Sequence, residues 1–466
     1  MLTEIVLVMT ALPLLGVAVD QSELEVTRLP GLRERINFRH YSGFLNAAEG
    51  RLLHYWFMES QRSPSDDPVL VWLHGGPGCS SLIAAAMEMG PFRIDPQGEH
   101  VTINPFSWNK IANVIFLEAP AGVGYSYDPT GNNSSDDNTA TEDNYQAILD
   151  FFSKFPQFRK NEFYVTGVSY GGIFVPLLTQ RLLLSNPLGI NLKGYTIGNG
   201  AVDFELYSKA ILFFAYYHGL FGDDLWNEVT SNCCNGTVSK ETCDFAWNTH
   251  DPACVNPVKA GYDIVLRSGL NVYNLYAPCG TTKQPRQLLS RLHPEMSQYA
   301  KQQLLIKTRS VRSTDPFGIL NCQNTDNLQL YFNRRDVVEA LHVEQSPHMW
   351  LPCSETLNYT QQYLTMREVV QQLAESGRLR GLVYHGDVDM ASPFLGGDWF
   401  VRSLGYESTS LYKMWHAGSI IAGFVQTFAK DITFATVKGA GHMVAMGKPK
   451  ESLQMMSNFL SRSSFE

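Results

Sequence analysis

The sequence predicts an α/β fold in which helices cover a mostly parallel central sheet. Several apolar runs of strand length, such as those at 68–73, 163–166 and 382–384, each lead into a glycine-containing turn. Residues 173–184 follow one of these turns and carry apolar residues at helical spacing. With 466 residues, of which 44% are hydrophobic and 17% charged, the chain is large enough to enclose such a sheet.

The order of strand, turn and helix is centred on Ser169. The sequence G-V-S-Y-G at 167–171 stands between the run at 163–166 and the helical segment. G-x-S-x-G in this context is typical of a nucleophile elbow, a tight turn that exposes the serine at the edge of a sheet. The bare pattern also occurs by chance in loops, but the flanking strand and helix favour catalysis. We therefore predict that Ser169 is a nucleophile.

A second glycine-rich turn follows the strand predicted at 68–73 and reads H-G-G-P-G-C-S-S from His74. In α/β-hydrolases, backbone N–H groups of such a loop and the N–H after the nucleophile form the oxyanion hole. This assigns the oxyanion hole to the backbone of Gly76 and Tyr170. The alternative is a tight turn without a catalytic role.

Two further catalytic residue types follow predicted strands in the second half of the chain. Asp389 comes after the strand at 382–384, and His442 comes after a strand predicted at 431–437. The chain order Ser, Asp, His is that of α/β-hydrolases. In this arrangement His442 would take the proton of Ser169, and Asp389 would orient the imidazole. Taken singly, a buried histidine or a turn aspartate would explain each residue, but together they predict a triad and an α/β-hydrolase fold.

The chain divides into four predicted segments. Residues 1–18 have the apolar run and the small residues of a signal peptide, and the run is too short for a membrane anchor of about 20 residues. Residues 19–202 are the first part of the hydrolase core. Residues 203–322, which are rich in aromatic residues and cysteine, form a largely helical cap. Residues 323–466 are the second part of the core.

Smaller features are predicted within these segments. The acidic, Asn-rich stretch 128–143 is typical of a surface loop, and 145–155 is typical of an amphipathic helix. A helix at 452–460 closes the core. The basic tract 284–312, with Arg309 and Arg312, is predicted to be accessible to proteases.

Charge and cysteine content indicate the cellular compartment. The formal net charge is -9, without a long basic run, which excludes nucleic acid as an expected partner. Eight cysteines favour disulfide bonds in an oxidising compartment, and a zinc site is the weaker alternative because no C-x-x-C pair occurs. We expect an exported protein without a metal. The candidate glycosylation sites are Asn132, Asn133, Asn235 and Asn358.

Several longer motifs resemble the serine carboxypeptidase family over most of the chain, and most closely its animal lysosomal branch. They are W-L-H-G-G-P-G-C-S-S from Trp72, A-P-A-G-V-G-Y-S from Ala119, G-V-S-Y-G-G from Gly167, F-A-Y-Y-H-G-L from Phe214, N-L-Y-A-P-C from Asn274, G-D-V-D-M from Gly386 and G-A-G-H-M-V from Gly439. The resemblance implies an exopeptidase, active at acidic pH and without a cofactor, that releases C-terminal residues through an acyl-enzyme. It also implies the disulfide bonds Cys79–Cys353, Cys233–Cys254, Cys234–Cys243 and Cys279–Cys322.

The resemblance has further implications for assembly and location. It implies a homodimer made as a zymogen in the secretory pathway, located in the lysosome or secreted, with lysosomal glycosidases as possible partners. Activation would then excise a linker within the cap. The alternatives are an esterase, amidase or acyltransferase that uses the same triad, or a protective binding partner of glycosidases.

The chain departs from the family at the expected site for the substrate's terminal carboxylate. Trp72 and Glu88 match the family pattern, but His74 replaces an Asn and Val168 replaces the Glu that precedes the nucleophile. A pair of carboxyl groups that shares a proton therefore cannot form. Our hypothesis from the sequence is that protonated His74, beside Glu88, binds the carboxylate instead. Ser392 also stands where relatives often have a free cysteine.

Overall fold

A computed structural model of the protein describes residues 20–245, 251–279, 310–312, 322, 325–463 and 465. Its strands, in chain order, are β1 (His40–Asn46), β2 (Leu52–Met58), β3 (Val69–Leu73), β4 (Phe92–Ile94), β5 (Val101–Ile103), β6 (Asn113–Leu117), β7 (Ser134–Asp136), β8 (Phe163–Val168), β9 (Leu192–Gly198), β10 (Ser310–Arg312), β11 (Asn358–Thr360), β12 (Arg380–Gly386), β13 (Lys413–Ala417), β14 (Ile420–Phe428) and β15 (Ile432–Val437).

The α-helices within the same residues are α1 (Leu82–Met87), α2 (Asp137–Lys154), α3 (Gly171–Leu184), α4 (Phe204–Tyr217), α5 (Asp223–Cys233), α6 (Pro252–Arg267), α7 (Asp326–Phe332), α8 (Arg335–Ala340), α9 (Arg367–Glu375), α10 (Phe394–Ser403), α11 (Val444–Gly447) and α12 (Pro449–Ser461). The predicted signal peptide and most of the tract 284–312 lie outside the described residues.

Ten of the described strands form one sheet in the order β1-β2-β6-β3-β8-β9-β12-β15-β14-β13. Its centre, from β6 to β15, is parallel, and the flanking pairs are antiparallel. The carboxyl ends of the parallel strands therefore meet at one edge, where open α/β sheets bind ligands. Two smaller sheets have the orders β10-β11-β7 and β4-β5.

Apolar side chains on both faces explain why the central strands are almost continuously hydrophobic. Along β3, Leu70 and Trp72 lie on one face, while Val71 and Leu73 lie on the other. The first face packs with residues of α1, α4 and α12, and the second packs with residues of α2, α3 and α9. Helices thus cover both faces, as the sequence predicted for an α/β-hydrolase fold.

The interpretation of 128–143 as a surface loop is wrong for its second half. Helix α2 begins at Asp137, eight residues before the predicted start at Tyr145. The Asp136 carboxylate caps this helix by accepting hydrogen bonds from the N–H groups of Asn138 and Thr139. The same acidic and Asn-rich composition that is typical of loops is here the start signal of a helix.

Four disulfide bonds connect Cys79–Cys353, Cys233–Cys254, Cys234–Cys243 and Cys279–Cys322. This is the pairing that the resemblance implied, and such bonds are typical of proteins that pass through the secretory pathway. Within the described ranges, no helix combines the length and the apolar composition needed to cross a bilayer.

Candidate active site

The nucleophile elbow lies at the centre of the sheet, between β8 and α3. Ser169 has φ +60°, a value that is uncommon and costly for a residue with a side chain. Its backbone is fixed on both sides, because its N–H donates to the Gly198 carbonyl at 3.1 Å and its own carbonyl accepts from Gly172 at 2.8 Å. A Cβ at Gly167 would lie 2.5 Å from the Leu73 carbonyl oxygen, so β3 and β8 approach too closely there for any other residue.

Asp389 and His442 meet because β12 and β15 are parallel neighbours and each residue follows the end of its strand. The His442 Nδ1 and Asp389 Oδ2 atoms are 2.7 Å apart, and both side chains are buried. With Nδ1 protonated toward the carboxylate, Nε2 of the neutral imidazole is left as the acceptor. In the described part of the chain this Nε2 is buried and has no hydrogen-bond partner.

The sequence did not reveal the groups that hold this pair. The Asn199 amide donates to Asp389 Oδ2 at 2.7 Å, and the Ala391 N–H donates to Oδ1 at 2.9 Å. The Tyr273 carbonyl accepts from the His442 N–H at 2.7 Å, and the Tyr273 ring lies 4.7 Å from the imidazole, centroid to centroid. The only sequence signal for Asn199 was its position in the turn after a strand.

The loop after β3 lies directly against the nucleophile. A Cβ at Gly75 would lie 2.5 Å from Ser169 Cβ and 2.7 Å from the Tyr170 nitrogen, so only glycine fits. The next residue, Gly76, has φ +121°, which also favours glycine. Ser169, His442 and this loop line one pocket, whose walls are His74, Gly75, Gly76, Cys79, Val168, Ser169, His442 and Met443.

The Cys79–Cys353 disulfide anchors the same loop to the segment at 352–354. The Ser80 N–H donates to the Pro352 carbonyl at 2.8 Å, and the Ser354 N–H donates to the Gly78 carbonyl at 2.9 Å. The loop is thus held to a distant part of the chain by covalent and hydrogen bonds. This arrangement presents its backbone rigidly to the pocket.

Trp72, His74 and Glu88 lie together beside this pocket. The Trp72 indole Nε1 donates to His74 Nδ1 at 3.4 Å, and Glu88 Oε1 lies 3.9 Å from the same nitrogen. Both His74 and Glu88 are buried, and Glu88 Oε1 has no hydrogen-bond partner among the described residues. The three side chains therefore form a compact polar wall.

The electrostatics of this wall argue against our hypothesis of a protonated His74. Burial, with a smaller contribution from His442, lowers the pKa of His74 to about 3. Burial raises the pKa of Glu88 to about 7, against the opposing influence of His442 and Arg93. The sequence does not reveal this burial, which disfavours the charged form of both groups. The group that carries a proton at acidic pH is Glu88.

Other candidate residues lie outside the pocket. The asparagines of all four sequons, Asn132, Asn133, Asn235 and Asn358, are exposed. Among the residues that the structure describes, no three His, Cys, Asp or Glu side chains lie together as metal ligands.

The fold and the geometry at the sheet edge define the chain as an enzyme of the α/β-hydrolase class. The sequence profile described as serine carboxypeptidase matches residues 30–462. Lysosomal protective protein of Mus musculus is 39% identical over 96% of this chain and 94% of its own length. Serine carboxypeptidase ctsa-4.1 of Caenorhabditis elegans is also 39% identical, over 95% and 94% respectively.

A solved structure agrees in fold. Kex1(delta)p, a prohormone-processing carboxypeptidase from Saccharomyces cerevisiae, superposes with a TM-score of 0.70 at 20% identity, covering 95% of this chain and 96% of its own. This protein belongs to the serine carboxypeptidase family and is a serine-type carboxypeptidase.

Proposed function

We propose that Ser169, His442 and Asp389 are the catalytic residues of this carboxypeptidase. The observation that carries the proposal is the buried Nε2 of His442, which has no hydrogen-bond partner among the residues that the structure describes. His442 lines one pocket with Ser169, and its Nδ1 is held by Asp389. Nε2 would remove the Ser169 hydroxyl proton as the oxygen attacks the carbonyl carbon of the last peptide bond. The backbone N–H groups of Gly76 and Tyr170 would stabilise the oxyanion.

The remaining steps follow from the same groups. The imidazolium gives its proton to the leaving nitrogen, the C–N bond breaks, and the C-terminal amino acid departs. An acyl-enzyme on Ser169 remains. His442 then takes a proton from water, whose oxygen attacks the ester carbon, and Ser169 regains its proton as the shortened peptide leaves.

We further propose that Trp72, His74 and Glu88 bind the terminal carboxylate of the substrate. A protonated Glu88 would donate a hydrogen bond to it, whereas an ionised Glu88 would repel it. Because the pKa of Glu88 is about 7, this interaction is available at acidic pH. Neutral His74 then serves as a polar neighbour of Glu88. In this way, the enzyme would prefer acidic pH although Val168 replaces the second carboxyl group of the family pattern.

The decisive experiment compares one acyl-dipeptide with its C-terminal amide between about pH 4 and 8, the range in which Glu and His titrate. We expect the free acid to be preferred and the preference to fade as the pH rises. Ser169→Ala is the control for the catalytic assignment. Equal or faster cleavage of the amide would instead support the esterase or amidase alternative.

Several broader properties are proposed from the resemblance of the sequence motifs to the serine carboxypeptidase family and from the sequons. We propose a homodimer located in the lysosome or secreted, glycosylated at one or more of the exposed sequons, and able to bind lysosomal glycosidases as a protective partner. We also propose that residues 203–322, which include α4, α5 and α6, form the cap. Sedimentation of the purified protein and co-purification with a glycosidase would test the assembly.

A further inference from the structure

One buried carboxyl group near the nucleophile has no part in the mechanism above. Asp137, the first residue of α2, is fully buried and accepts four hydrogen bonds. Its Oδ1 accepts from the hydroxyl groups of Tyr170 and Tyr359, both at 2.8 Å. Its Oδ2 accepts from the N–H groups of Gln362 at 2.6 Å and Tyr363 at 3.1 Å.

These donors come from two different parts of the fold. Tyr359 lies in β11, and Gln362 and Tyr363 follow that strand, so three of the four hydrogen bonds join α2 to one surface segment. The fourth comes from Tyr170, which directly follows the nucleophile and precedes α3. Asp137 is thus a point at which helix α2 contacts the nucleophile elbow through a single side chain.

The Tyr170 ring is fixed along its whole length. The ring packs in T-shaped contacts with Phe174 and Tyr359, at ring-centroid distances of 5.2 and 5.6 Å, and its hydroxyl group donates to Asp137. A ring held at both ends restrains the Cα–Cβ bond of Tyr170 and so helps to orient the preceding peptide, whose Ser169 carbonyl also accepts hydrogen bonds from the N–H groups of Gly172 and Ala201. The N–H of that peptide is the proposed oxyanion donor, and hydrogen bonds weaken steeply when the donor is misaligned.

We propose that Asp137 is a positioning residue, which acts through the Tyr170 hydroxyl group to aim the Tyr170 N–H at the oxyanion. The inference rests on the proposed function, because it assumes that Ser169 is the nucleophile and that this N–H contacts the reacting oxygen. A preorganised donor stabilises the oxyanion only if its direction is fixed before the reaction. A strained serine in the elbow requires such support from its neighbours.

The test compares two tyrosines that donate to the same oxygen. Tyr170→Phe removes the hydroxyl group that leads to the elbow, and Tyr359→Phe removes the one that leads to β11. We expect Tyr170→Phe to lower kcat by about tenfold with little change in KM, less than the roughly hundredfold or greater loss when an oxyanion donor is deleted. Tyr359→Phe is expected to keep kcat within about twofold. Both variants should lower Tm by similar amounts, because each removes one hydrogen bond to the same carboxylate oxygen.

Inhibitor binding provides a second readout that a purely structural role would not change. A peptide aldehyde forms a tetrahedral adduct with the serine oxygen and so needs the oxyanion donor, whereas the matched peptide alcohol does not. We expect Tyr170→Phe to weaken only the aldehyde, by about the same factor as kcat. Unchanged kcat and aldehyde affinity in Tyr170→Phe, or equal losses in both Phe variants, would overturn the proposal.

Asp137→Asn completes the set. Combined with Tyr170→Phe, it should lower kcat no further than Tyr170→Phe alone, because both act through one hydrogen bond. If this variant does not fold, the two Phe variants still decide the question. Full activity of Ser169→Ala would refute the proposed function, whereas an inactive Ser169→Ala with a fully active Tyr170→Phe would refute only the role of Asp137.

Discussion

In the proposed carboxylate site, Glu88 is the side chain that we expect to link substrate binding to pH. Its pKa of about 7 means that it is neutral in acid and charged above neutrality, where it would repel the terminal carboxylate of a peptide. KM for a free-acid peptide should therefore rise as the pH increases through about 7. Glu88→Gln, which is neutral at every pH, should remove this rise and keep a nearly constant KM in steady-state assays from about pH 5 to 8.

His74→Asn is the matched control, because burial keeps His74 uncharged in the same pH range. This variant should change the level of KM but keep its increase near pH 7. Stability provides an independent check. The pKa of the Glu88 carboxyl group is about 7 in the folded protein and near 4.5 in the unfolded chain, so the folded protein holds this proton more tightly. Between these values the Glu88 carboxyl group contributes a loss of stability as the pH rises, opposite in sign to the contribution of buried His74. The stability of the wild type relative to Glu88→Gln should therefore decrease as the pH rises from about 4.5 to about 7. A KM profile that Glu88→Gln leaves unchanged would rule out Glu88 as the titrating group.

Two aspartates in one turn allow the proposed role of Asp389 to be tested against a close neighbour. The Asp389 carboxylate accepts a hydrogen bond from His442 Nδ1. The Asp387 carboxylate instead accepts a hydrogen bond from the Gly439 N–H at 2.6 Å. Asp389→Asn should lower kcat by about 10⁴-fold because the carboxamide favours the wrong imidazole tautomer. Asp387→Asn should keep kcat within a few-fold, and comparable losses in both variants would point to a general effect on the turn.

The loop that carries Gly76 depends on a covalent bond to a distant part of the chain. Cys79 and Cys353 are 274 residues apart, so their disulfide greatly restricts the unfolded state, and removing it should cost about 2 to 5 kcal/mol. Replacing both by Ala should also lower kcat, because the loop that borders the pocket of Ser169 loses its covalent anchor. Thermal unfolding and steady-state kinetics measure the two effects.

The Cys234–Cys243 disulfide provides the comparison, since its cysteines are only nine residues apart and neither lines the pocket of Ser169. Its removal should lower Tm less and leave kcat nearly unchanged. If kcat falls equally in both double variants, the Cys79–Cys353 bond has no special role in holding the oxyanion loop.

Among the secondary-structure elements, the sequence predicted best those strands whose residue types are determined by burial on both faces of the sheet. The buried strands β3, β6 and β8 are apolar because helices cover both faces, and this pattern is visible without a structure. The start of α2 was missed because Asp136 and Asp137 act through capping and burial, neither of which composition reveals. Burial also disfavours the charged form of His74, which the sequence does not show because burial depends on residues distant in sequence.

The central sheet combines strands from a first half of the chain, residues 20–202, and a second half, residues 325–463. The two halves meet at a seam between β9 and β12. Strand β9 from the first half pairs with β12 from the second, beginning at Gly194 and Arg380. The candidate site spans this seam, because Ser169 belongs to the first half while Asp389 and His442 belong to the second. Asn199 also crosses it by donating to Asp389. If the chain is cleaved between the two halves, the resulting fragments must therefore stay associated for the enzyme to remain active.

Limited proteolysis within the tract 284–312 tests this arrangement together with the zymogen hypothesis. Both Cys79–Cys353 and Cys279–Cys322 join chain segments on either side of the tract, so the cut protein should run as one species on a denaturing gel until a reductant separates two fragments. Activity at acidic pH should increase on cutting and should depend on Ser169. Fragments that separate without a reductant would contradict the disulfide pairing, whereas an uncut chain with full activity would refute activation by excision and leave the two-chain architecture intact.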